Sequence, residues 1–219
     1  MSYSYEYDQY FYKQSPFVRL RFLIFLNNQL YYSMAKITIF GLAGTGKSTV
    51  GKMLAKELGY TFVSSGNMFR KKAMSLGLSL YAFEELCNTD KKYDIEFDKD
   101  LEKFGKENDN FVLESRLGWY FIPDSFKIKL KCDLNDRVER VARRDNVTFE
   151  EALAKTKFRE ASGVKRYAET YSITDFASDS VFDCIIDSTK IGPDGIVKKM
   201  LEAFNELKNA PAGRAGQKS

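Results

Sequence analysis

Short apolar segments alternate with longer amphipathic segments along most of the chain. The first apolar segment, residues 37–40, is rich in β-branched side chains and predicts a buried strand. After a glycine-rich stretch, apolar side chains recur at helical spacing and form one face with Val50, Met53, Leu54 and Leu58. Gly59 then supplies a helix stop. The pattern predicts a strand, a loop and an amphipathic helix in succession.

The same alternation continues toward the C-terminus. Further strands are predicted at residues 60–63, 111–114, 126–132 and 181–187. Helices are predicted from residue 64, around 80–89, at 94–106, at 135–144, from a capping box at Thr148 and Glu151 toward Tyr167, and in a closing segment with Val197, Met200, Leu201, Phe204 and Leu207 on one face. Strands separated by helices predict an α/β fold with a parallel sheet between two helical layers. Ligands of such folds bind at the carboxyl ends of the strands.

Composition favours one catalytic domain without a large basic surface. The 219 residues are 44% hydrophobic, which suits one large domain but is short for two. Lysine and arginine total 34 against 30 acidic residues, and the net charge of +4 falls short of a nucleic-acid-binding excess. The three cysteines, Cys87, Cys132 and Cys184, form no C-x-x-C pair, so neither a disulfide framework nor a zinc site is indicated. We expect a cytoplasmic monomer without a nucleic-acid partner.

Residues 1–33 and 209–219 are predicted to lie outside this domain, which would span 34–208. The N-terminal segment is rich in aromatic side chains, and two arginines interrupt its only apolar run, residues 17–26. That run is too short to span a bilayer and makes a poor signal peptide. A plain extension without a membrane partner is the simpler interpretation, and a membrane-surface anchor is the functional alternative. The C-terminal segment has no apolar period and is predicted to be a flexible tail.

The loop after the first strand carries the most specific motif in the chain. Residues 41–48 read G-x-x-x-x-G-K-[ST], the pattern of a phosphate-binding loop, between the strand and the helix that this motif requires. The glycines let successive backbone N–H groups face phosphate oxygens. Lys47 adds a cation for the β- and γ-phosphates, and the Ser48 hydroxyl can bind Mg²⁺. We therefore predict nucleotide binding at this loop.

The residue inventory also constrains the phosphate acceptor. The chain contains no histidine, which excludes histidine as a general base. A monophosphate acceptor needs no such base, because its second pKa near about 6 leaves it mostly dianionic at neutral pH. Phosphoryl transfer requires charge neutralisation and alignment instead, and arginines with Mg²⁺ would supply both.

Several weaker motifs follow the loop in order. They are Ser65-Gly66-x-x-Phe69-Arg70, Leu113-Glu114-Ser115-Arg116, Arg159 with Lys165-Arg166-Tyr167, and Asp187-Ser188-Thr189. With the loop, they make the chain resemble the nucleoside monophosphate kinases over residues 35 to about 207. The resemblance is strongest to the short bacterial and archaeal cytidylate kinases. It implies Mg²⁺-dependent transfer of the γ-phosphoryl group of ATP to CMP or dCMP.

This resemblance implies an architecture and a set of site residues. The three-layer P-loop kinase fold would have five parallel strands in the order 2-3-1-4-5, a helical acceptor-binding insert near 66–108 and a mobile lid near 144–172. The residues implied to bind ATP are Gly41, Leu42, Ala43, Gly44, Thr45, Gly46, Lys47, Ser48, Thr49 and Arg144, with Arg140 as the alternative to Arg144. Those implied to bind the acceptor are Ser65, Gly66, Arg70 and Arg116. The implied catalytic residues are Lys47, Arg159 and Arg166, and the implied Mg²⁺ ligands are Ser48 and Glu114.

Several of these side chains also have a structural interpretation. Arg70 and Arg116 lie just beyond strand ends, where they suit an acceptor phosphate, but either could form a structural ion pair instead. Glu114 could pair with Lys47. The following basic residues are interpreted as parts of solvated charged faces: Arg137, Arg143 and Lys165.

Two positions depart from the family pattern. The family usually has aspartate where Asn67 stands and glycine where Ser115 stands. Both positions lie beside the implied acceptor site. Acceptor preference or turnover could therefore differ from those of the family.

Other classes of P-loop protein fit the sequence less well. A GTPase switch is disfavoured because the chain lacks N-K-x-D, T-K-x-D and D-x-x-G motifs. A remodelling ATPase is disfavoured because the third strand ends in Leu113-Glu114-Ser115 and not in an Asp-Glu pair. A kinase for a hydroxylated metabolite would need an aspartate base that none of these motifs supplies. A kinase for another nucleotide or metabolite and a binding module without turnover remain the alternatives.

Overall fold

The computed structural model describes residues 36–209. Its elements in chain order are β1 (Lys36–Gly41), α1 (Lys47–Leu58), β2 (Thr61–Ser64), α2 (Ser65–Ser75), α3 (Leu80–Thr89), α4 (Lys92–Glu107), β3 (Phe111–Glu114), α5 (Gly118–Phe121), β4 (Phe126–Lys131), α6 (Leu134–Asp145), α7 (Phe149–Tyr171), β5 (Cys184–Asp187) and α8 (Pro193–Asn209). The predicted extension, 1–33, and all but the first residue of the predicted tail, 209–219, lie outside the described residues. The domain limits that they define stay a prediction.

The five strands within residues 36–209 run parallel in one sheet with the order β2-β3-β1-β4-β5. The central strand is β1, in which Ile39 lies opposite Glu114 of β3 and Ile128 of β4. Both faces of β1 are buried, as is typical of a parallel sheet covered by helices on both sides. The predicted strand order is confirmed. The carboxyl ends of β1, β2 and β3 meet at one edge, where the loop begins.

Separate apolar clusters cover the two faces of the sheet. On one face α1 and α8 pack against the strands, and Leu54 and Met200 are fully buried. On the other face Phe40 packs against Phe182, with 5.1 Å between ring centroids. Full burial of a side chain of this size contributes roughly 1.5–3 kcal/mol, so the clusters hold β1 and its loop firmly. The predicted apolar face of α8 is mostly confirmed, but Leu207 in its last turns is 45% exposed.

The last strand, β5, begins later than the predicted residue 181. Residues Asp179–Val181 form a 3₁₀ helix instead. The Asp179 carboxylate lies 2.6 Å from Lys129 Nζ and also binds Lys131, both from β4. These ion pairs hold the segment as a turn. They are long-range contacts, which the alternation of apolar residues along β5 does not reveal.

Two helical segments complete the described part of the fold. The connection from β2 to β3 contains α2, α3 and α4, at the position predicted for the insert. These helices have a separate apolar cluster, in which Phe83 and Cys87 are fully buried. Helix α7, which lies in the predicted lid, begins at the predicted capping box, where the Thr148 hydroxyl accepts a hydrogen bond from the Glu151 backbone N–H at 3.2 Å. Helix α7 contacts α3, which brings the predicted lid against the insert. Within residues 36–209, no helix is both long and apolar enough to cross a membrane.

Candidate active site

The phosphate-binding loop joins β1 to α1 in a conformation that requires glycine. Gly44 and Gly46 have φ values of 83° and 91°, which other L-residues adopt only with strain. At Gly44 space is also lacking, because a Cβ atom would lie 2.3 Å from the Arg137 carbonyl oxygen. Thr45 donates its hydroxyl to the Leu42 carbonyl at 2.9 Å within the loop. Glycine conformation, close packing against Arg137 and the Thr45 hydrogen bond together shape the loop.

Lys47 folds back into this loop from the first turn of α1. Its Nζ donates a hydrogen bond to the Leu42 carbonyl at 3.0 Å. Burial lowers the pKa of Lys47 to about 8, Glu114 opposes that shift, and neighbouring positive charges add to it. Those charges belong to Arg116, Arg159 and Arg137. Positive charge crowded around one loop suits a polyanionic ligand.

Glu114 lies beside the loop at the carboxyl end of β3 and is 5% exposed. Its carboxylate accepts a hydrogen bond from the Ser48 hydroxyl at 2.6 Å and another from the Ser64 hydroxyl at the end of β2. Lys47 is close enough for Glu114 to raise its pKa, but the two hydroxyls are the direct partners of the carboxylate. The structure therefore brings the two predicted Mg²⁺ ligands together and replaces the alternative Lys47–Glu114 pair with hydroxyl contacts.

Ser48 and Glu114 are suitable ligands for a magnesium ion. They offer hydroxyl and carboxylate oxygens, the hard ligands that Mg²⁺ prefers. In kinases Mg²⁺ commonly takes one or two ligands from the protein, because substrate phosphates and waters complete its shell. Across residues 36–209, no group of three or more His, Cys, Asp or Glu side chains could hold a metal ion. This donor set fits an ion that is bound together with a nucleotide.

The predicted acceptor residues of α2 lie at its first turns. Ser64 caps this helix by accepting a hydrogen bond from the Asn67 N–H at 3.1 Å, and Ser65 and Gly66 follow as its first residues. Arg70 donates a hydrogen bond from Nη2 to Asn67 Oδ1. Its pKa is lowered by burial and by the positive charges of Arg159 and Arg144. The departure from the family pattern at Asn67 thus places a neutral amide against an arginine of the implied acceptor site.

Arg116 follows β3 and reaches the lid helix. Its Nη1 donates a hydrogen bond to the Arg159 carbonyl at 3.1 Å. The approach depends on a helical glycine, since a Cβ atom on Gly163 would lie 3.1 Å from that same Nη1. Among the described residues, neither Arg116 nor Arg70 forms an ion pair with a carboxylate. The structural alternative for these two arginines is therefore not observed.

The predicted lid arginines are both held by residues of the insert. Arg159 Nε lies 2.8 Å from Glu84 Oε1, and Arg166 Nε lies 3.0 Å from Asp94 Oδ2. Arg166 also donates a hydrogen bond from Nη1 to the Glu84 carbonyl at 3.4 Å. Glu84 and Asp94 carried no signal in the sequence, because acidic residues on amphipathic helices are usually solvated. The contact between lid and insert turns them into counterions.

Arg137 does not lie on a solvated face, and that prediction is wrong. Its side chain is 5% exposed and donates hydrogen bonds to the carbonyls of Cys132 and Ala43, each at 3.2 Å. It also pairs with Glu160 of α7 at 2.6 Å. Arg137 therefore links the phosphate-binding loop to the lid helix. The predicted exposure of the other two basic residues, Arg143 and Lys165, is observed.

The two arginines considered for the donor base occupy different places. Arg140 donates hydrogen bonds to the Gly44 carbonyl of the loop at 3.4 Å and to the Ser188 and Thr189 carbonyls after β5. Arg144 pairs with the adjacent Asp145 at 2.7 Å and lowers the pKa of Arg70. The arginine beside the loop is therefore Arg140, whereas Arg144 is near enough to the predicted acceptor residue Arg70 to lower its pKa. Arg140 and Arg144 lie about one helical turn apart on α6. Helical spacing in the sequence does not decide which of the two lies beside the loop.

Solved structures of other proteins share this fold at low sequence identity. A shikimate kinase from Acinetobacter baumannii in complex with shikimate has a TM-score of 0.53 and 18% identity, and the match covers 84% of this chain and 99% of that one. A gluconokinase from Sinorhizobium meliloti also has a TM-score of 0.53, with 16% identity over 80% of this chain and 93% of that one. At such identities these similarities establish the P-loop kinase fold alone.

Sequence comparison is more specific. A cytidylate kinase of Pyrococcus furiosus is 38% identical over 83% of this chain and 93% of its own length. A cytidylate kinase of Methanobrevibacter smithii is 34% identical over 78% of this chain and 99% of its own length. The profile of the cytidylate kinase-like family matches residues 36–190, the part that contains the loop, the predicted insert and the predicted lid. The chain belongs to the cytidylate kinase-like family.

Proposed function

We propose that this protein transfers the γ-phosphoryl group of ATP to CMP or dCMP, which yields ADP and CDP or dCDP. The observation that carries the proposal is the positive charge gathered around Lys47, whose pKa is lowered by burial and by three arginines. Those arginines come from the end of β3, from α6 and from the lid helix. Lys47 itself pairs with no carboxylate among residues 36–209, and the phosphates of bound nucleotides would supply its counter-charge. Family membership identifies those nucleotides as ATP and a cytidine monophosphate.

The donor phosphates would occupy the loop. The backbone from Gly41 to Thr49 would bind the β- and γ-phosphates, while Lys47 would exchange its hydrogen bond with the Leu42 carbonyl for phosphate oxygens. Arg140, which already contacts the loop and the turn after β5, would lie against the donor base. Arg144 would then face the space between the two nucleotides. This reverses the order in which the sequence ranks these two arginines.

Ser48 and Glu114 would hold the magnesium ion that accompanies ATP. When bound, the ion would neutralise charge on the donor phosphates and help to align them. The protein's contribution is the pair of oxygens that the 2.6 Å contact between Ser48 and Glu114 already brings together. Ser64 would keep the carboxylate oriented through its own hydrogen bond.

The acceptor would bind between the insert and the end of β3. Arg70 and Arg116 would contact its phosphate, and the first turn of α2 at Ser65 and Gly66 would contribute backbone N–H groups. A dianionic phosphate is already nucleophilic, so the site needs no general base, in agreement with the absence of histidine from the chain. Arg159 and Arg166 would neutralise the charge that spreads over the transferring phosphoryl oxygens.

A coupled assay of ADP release tests the proposal. ATP and Mg²⁺ are combined with CMP, dCMP, UMP, AMP or GMP, and each rate is compared with the rate without acceptor. We expect CMP and dCMP to give the highest kcat/KM, followed by UMP. A better rate with AMP or GMP would contradict the cytidine assignment but keep the kinase class. No acceptor-dependent release with any of the five would contradict the kinase assignment itself.

The same assay with Asn67→Asp addresses the departure beside Arg70. Aspartate would convert the contact between residue 67 and Arg70 into an ion pair. If the departure alters acceptor preference, this variant will change the ratio of kcat/KM values for CMP and UMP. An unchanged ratio would show that position 67 does not influence the base.

We also propose that the protein acts as a cytoplasmic monomer. All three cysteines are free thiols in the structure, as suits a reducing compartment. The modest net charge of +4 supports small-molecule substrates over nucleic acid. Size-exclusion chromatography with light scattering would test the oligomeric state.

A further inference from the structure

Glu84 is a buried acidic residue to which the proposed phosphate chemistry gives no role. It lies in α3 of the insert and is 6% exposed, whereas the next residue, Glu85, is exposed on the same helix. A buried carboxylate is costly unless it is paired and hydrogen-bonded. The partners of Glu84 therefore indicate what its burial achieves.

Those partners are the two lid arginines. Glu84 Oε1 accepts a hydrogen bond from Arg159 Nε at 2.8 Å. Its backbone carbonyl accepts one from Arg166 Nη1 at 3.4 Å. The two arginines lie 75 and 82 residues further along the chain. One residue of the insert thus contacts both cations that would act on the transferring phosphoryl group.

The contact with Glu84 uses Nε of Arg159 and leaves the two terminal nitrogens of the guanidinium for a phosphate. A guanidinium presents its two terminal nitrogens as a fork that can bridge two phosphate oxygens. With Nε held by Glu84, that fork keeps a fixed plane, and neither of its nitrogens hydrogen-bonds another atom among residues 36–209. Arg159 is also near enough to the loop to lower the pKa of Lys47. The fixed guanidinium is thus close to the place where the γ-phosphate would lie.

We propose that Glu84 is a positioning residue for phosphoryl transfer. It orients the guanidinium of Arg159, so that a residue of the acceptor insert places a lid arginine for the reaction. The inference rests on the proposed function and adds a residue that does not itself touch either nucleotide. Arg159 is oriented in this way only while α3 lies against α7. Binding of the acceptor to the insert and placement of the lid arginine thereby become coupled, which favours transfer over hydrolysis of ATP.

The test compares variants of adjacent glutamates in the full-length chain. We expect Glu84→Ala to lower kcat with CMP by about tenfold to a hundredfold, the scale of a lost hydrogen bond to a charged group. The KM for ATP should change by less than about threefold, because the loop is untouched. Glu84→Gln keeps an oxygen that can accept from Arg159 Nε, so its kcat should lie between those of wild type and Glu84→Ala. Glu85→Ala, the exposed control, should match wild type.

A double-mutant cycle separates positioning from a general structural role. In an Arg159→Ala background, Glu84→Ala should lower kcat by less than about threefold further, because the residue through which it acts is gone. The cycle is repeated with Glu84→Gln, so the test stands even if Glu84→Ala does not fold. All rates are measured well below the thermal midpoint of each variant.

Several results would overturn the proposal. One is a kcat for Glu84→Ala and Glu84→Gln equal to that of Glu85→Ala. Another is a fall in the kcat of the double variant equal to the product of the falls in the two single variants. Such a result would mean that Glu84 acts independently of Arg159. Both require a wild-type protein that releases ADP in response to CMP. A wild type that does not do so would overturn the proposed function, and this inference with it.

Discussion

The phosphate-binding loop and the interface between insert and lid both concentrate positive charge, but they neutralise it differently. In the loop, the hydrogen-bond partner of Lys47 within the described residues 36–209 is a backbone carbonyl, and its pKa is lowered. At the interface between α3, α4 and α7, Arg159 and Arg166 are paired with buried carboxylates. The loop is thus prepared for a ligand's negative charge, whereas the lid arginines already have protein counterions. Nucleotides would have to share these arginines with Glu84 and Asp94.

The interface also contains a third buried acidic side chain, in addition to the two that pair with Arg159 and Arg166. Asp98 lies near Asp94 and Arg166 and accepts a hydrogen bond from the Tyr171 hydroxyl at 2.6 Å. Burial raises its pKa to about 7, an effect that Asp94 increases and that Tyr171 and Arg166 oppose. Burial likewise raises the pKa of Asp94. Charge at this interface therefore costs stability, which suits a contact that must open for nucleotides to enter and leave.

The largest effect that we expect comes from the loop. Lys47→Ala should lower kcat by more than about 10³-fold while the protein stays folded, because the ammonium neutralises phosphate charge that grows in the transition state. Steady-state ADP release and thermal unfolding are measured on the same preparation. Lys56→Ala, on the exposed face of the same helix, is the control. Turnover near wild type in folded Lys47→Ala protein would contradict phosphoryl transfer at this loop.

The two regions differ in how far the sequence predicts them. The loop is local: a strand, eight residues and a helix contain the whole motif, and the structure has the glycine conformations that the motif implies. The strand order was implied by the family resemblance and is confirmed. The partners of the lid arginines could not be predicted, because Glu84 and Arg159 are 75 residues apart and no pattern in either helix indicates their pairing. Arg137 was misinterpreted for the same reason, since its burial depends on contacts with Ala43 and Glu160.

The next largest effect should come from the lid arginines. Arg159→Ala and Arg166→Ala should each lower kcat by about 10³-fold, the scale of arginine contacts to a transferring phosphoryl group. Arg70→Ala and Arg116→Ala should instead act mainly through the acceptor, raising its KM and lowering turnover less. Initial rates over a grid of ATP and CMP concentrations distinguish the two patterns.

Exposed Arg143 supplies the matched control for these four arginines. Its pair with Glu139 is a surface contact between residues four apart on α6, at 3.5 Å. Arg143→Ala should therefore leave both KM and kcat near wild type. If all four site variants behaved like Arg143→Ala, the arginine assignments would be wrong even though the fold is right.

A smaller effect, on stability, should distinguish the interface from the loop. Asp98 has a folded-state pKa near 7 against a usual value of 3.8, so the folded protein binds an additional proton between these limits. Stability should therefore fall as pH rises through this window and then level off above about pH 7. Asp98→Asn should remove that dependence and be more stable than wild type at pH 8, by at most about 4 kcal/mol.

Urea unfolding at pH 5, 6.5 and 8 checks this prediction. The stabilisation by Asp98→Asn should grow from pH 5 to pH 8. Over that range the wild type loses stability through the raised pKa of Asp98, whereas the asparagine variant has no carboxyl group to titrate. Exposed Asp100 on the same helix provides the control, and Asp100→Asn should not change with pH in this way. If the free energy of unfolding of the wild type does not change with pH, Asp98 keeps an ordinary pKa. Charge on Asp98 then does not destabilise the interface.

The smallest effect should come from removing residues 1–33, which belong to neither region. The first core strand begins at Lys36, where β1 already pairs with Phe111 of β3. The family match begins at the same residue, and 78% of this chain covers 99% of the Methanobrevibacter smithii cytidylate kinase. The shortened chain should therefore keep its thermal midpoint within about 2 °C and its kcat within about twofold, since a change of 1 kcal/mol would shift the midpoint by about 2–4 °C. Vesicle co-sedimentation of the two chains tests the membrane-surface alternative: binding by the full chain alone would assign the extension that role, whereas loss of activity on deletion would show that it belongs to the kinase.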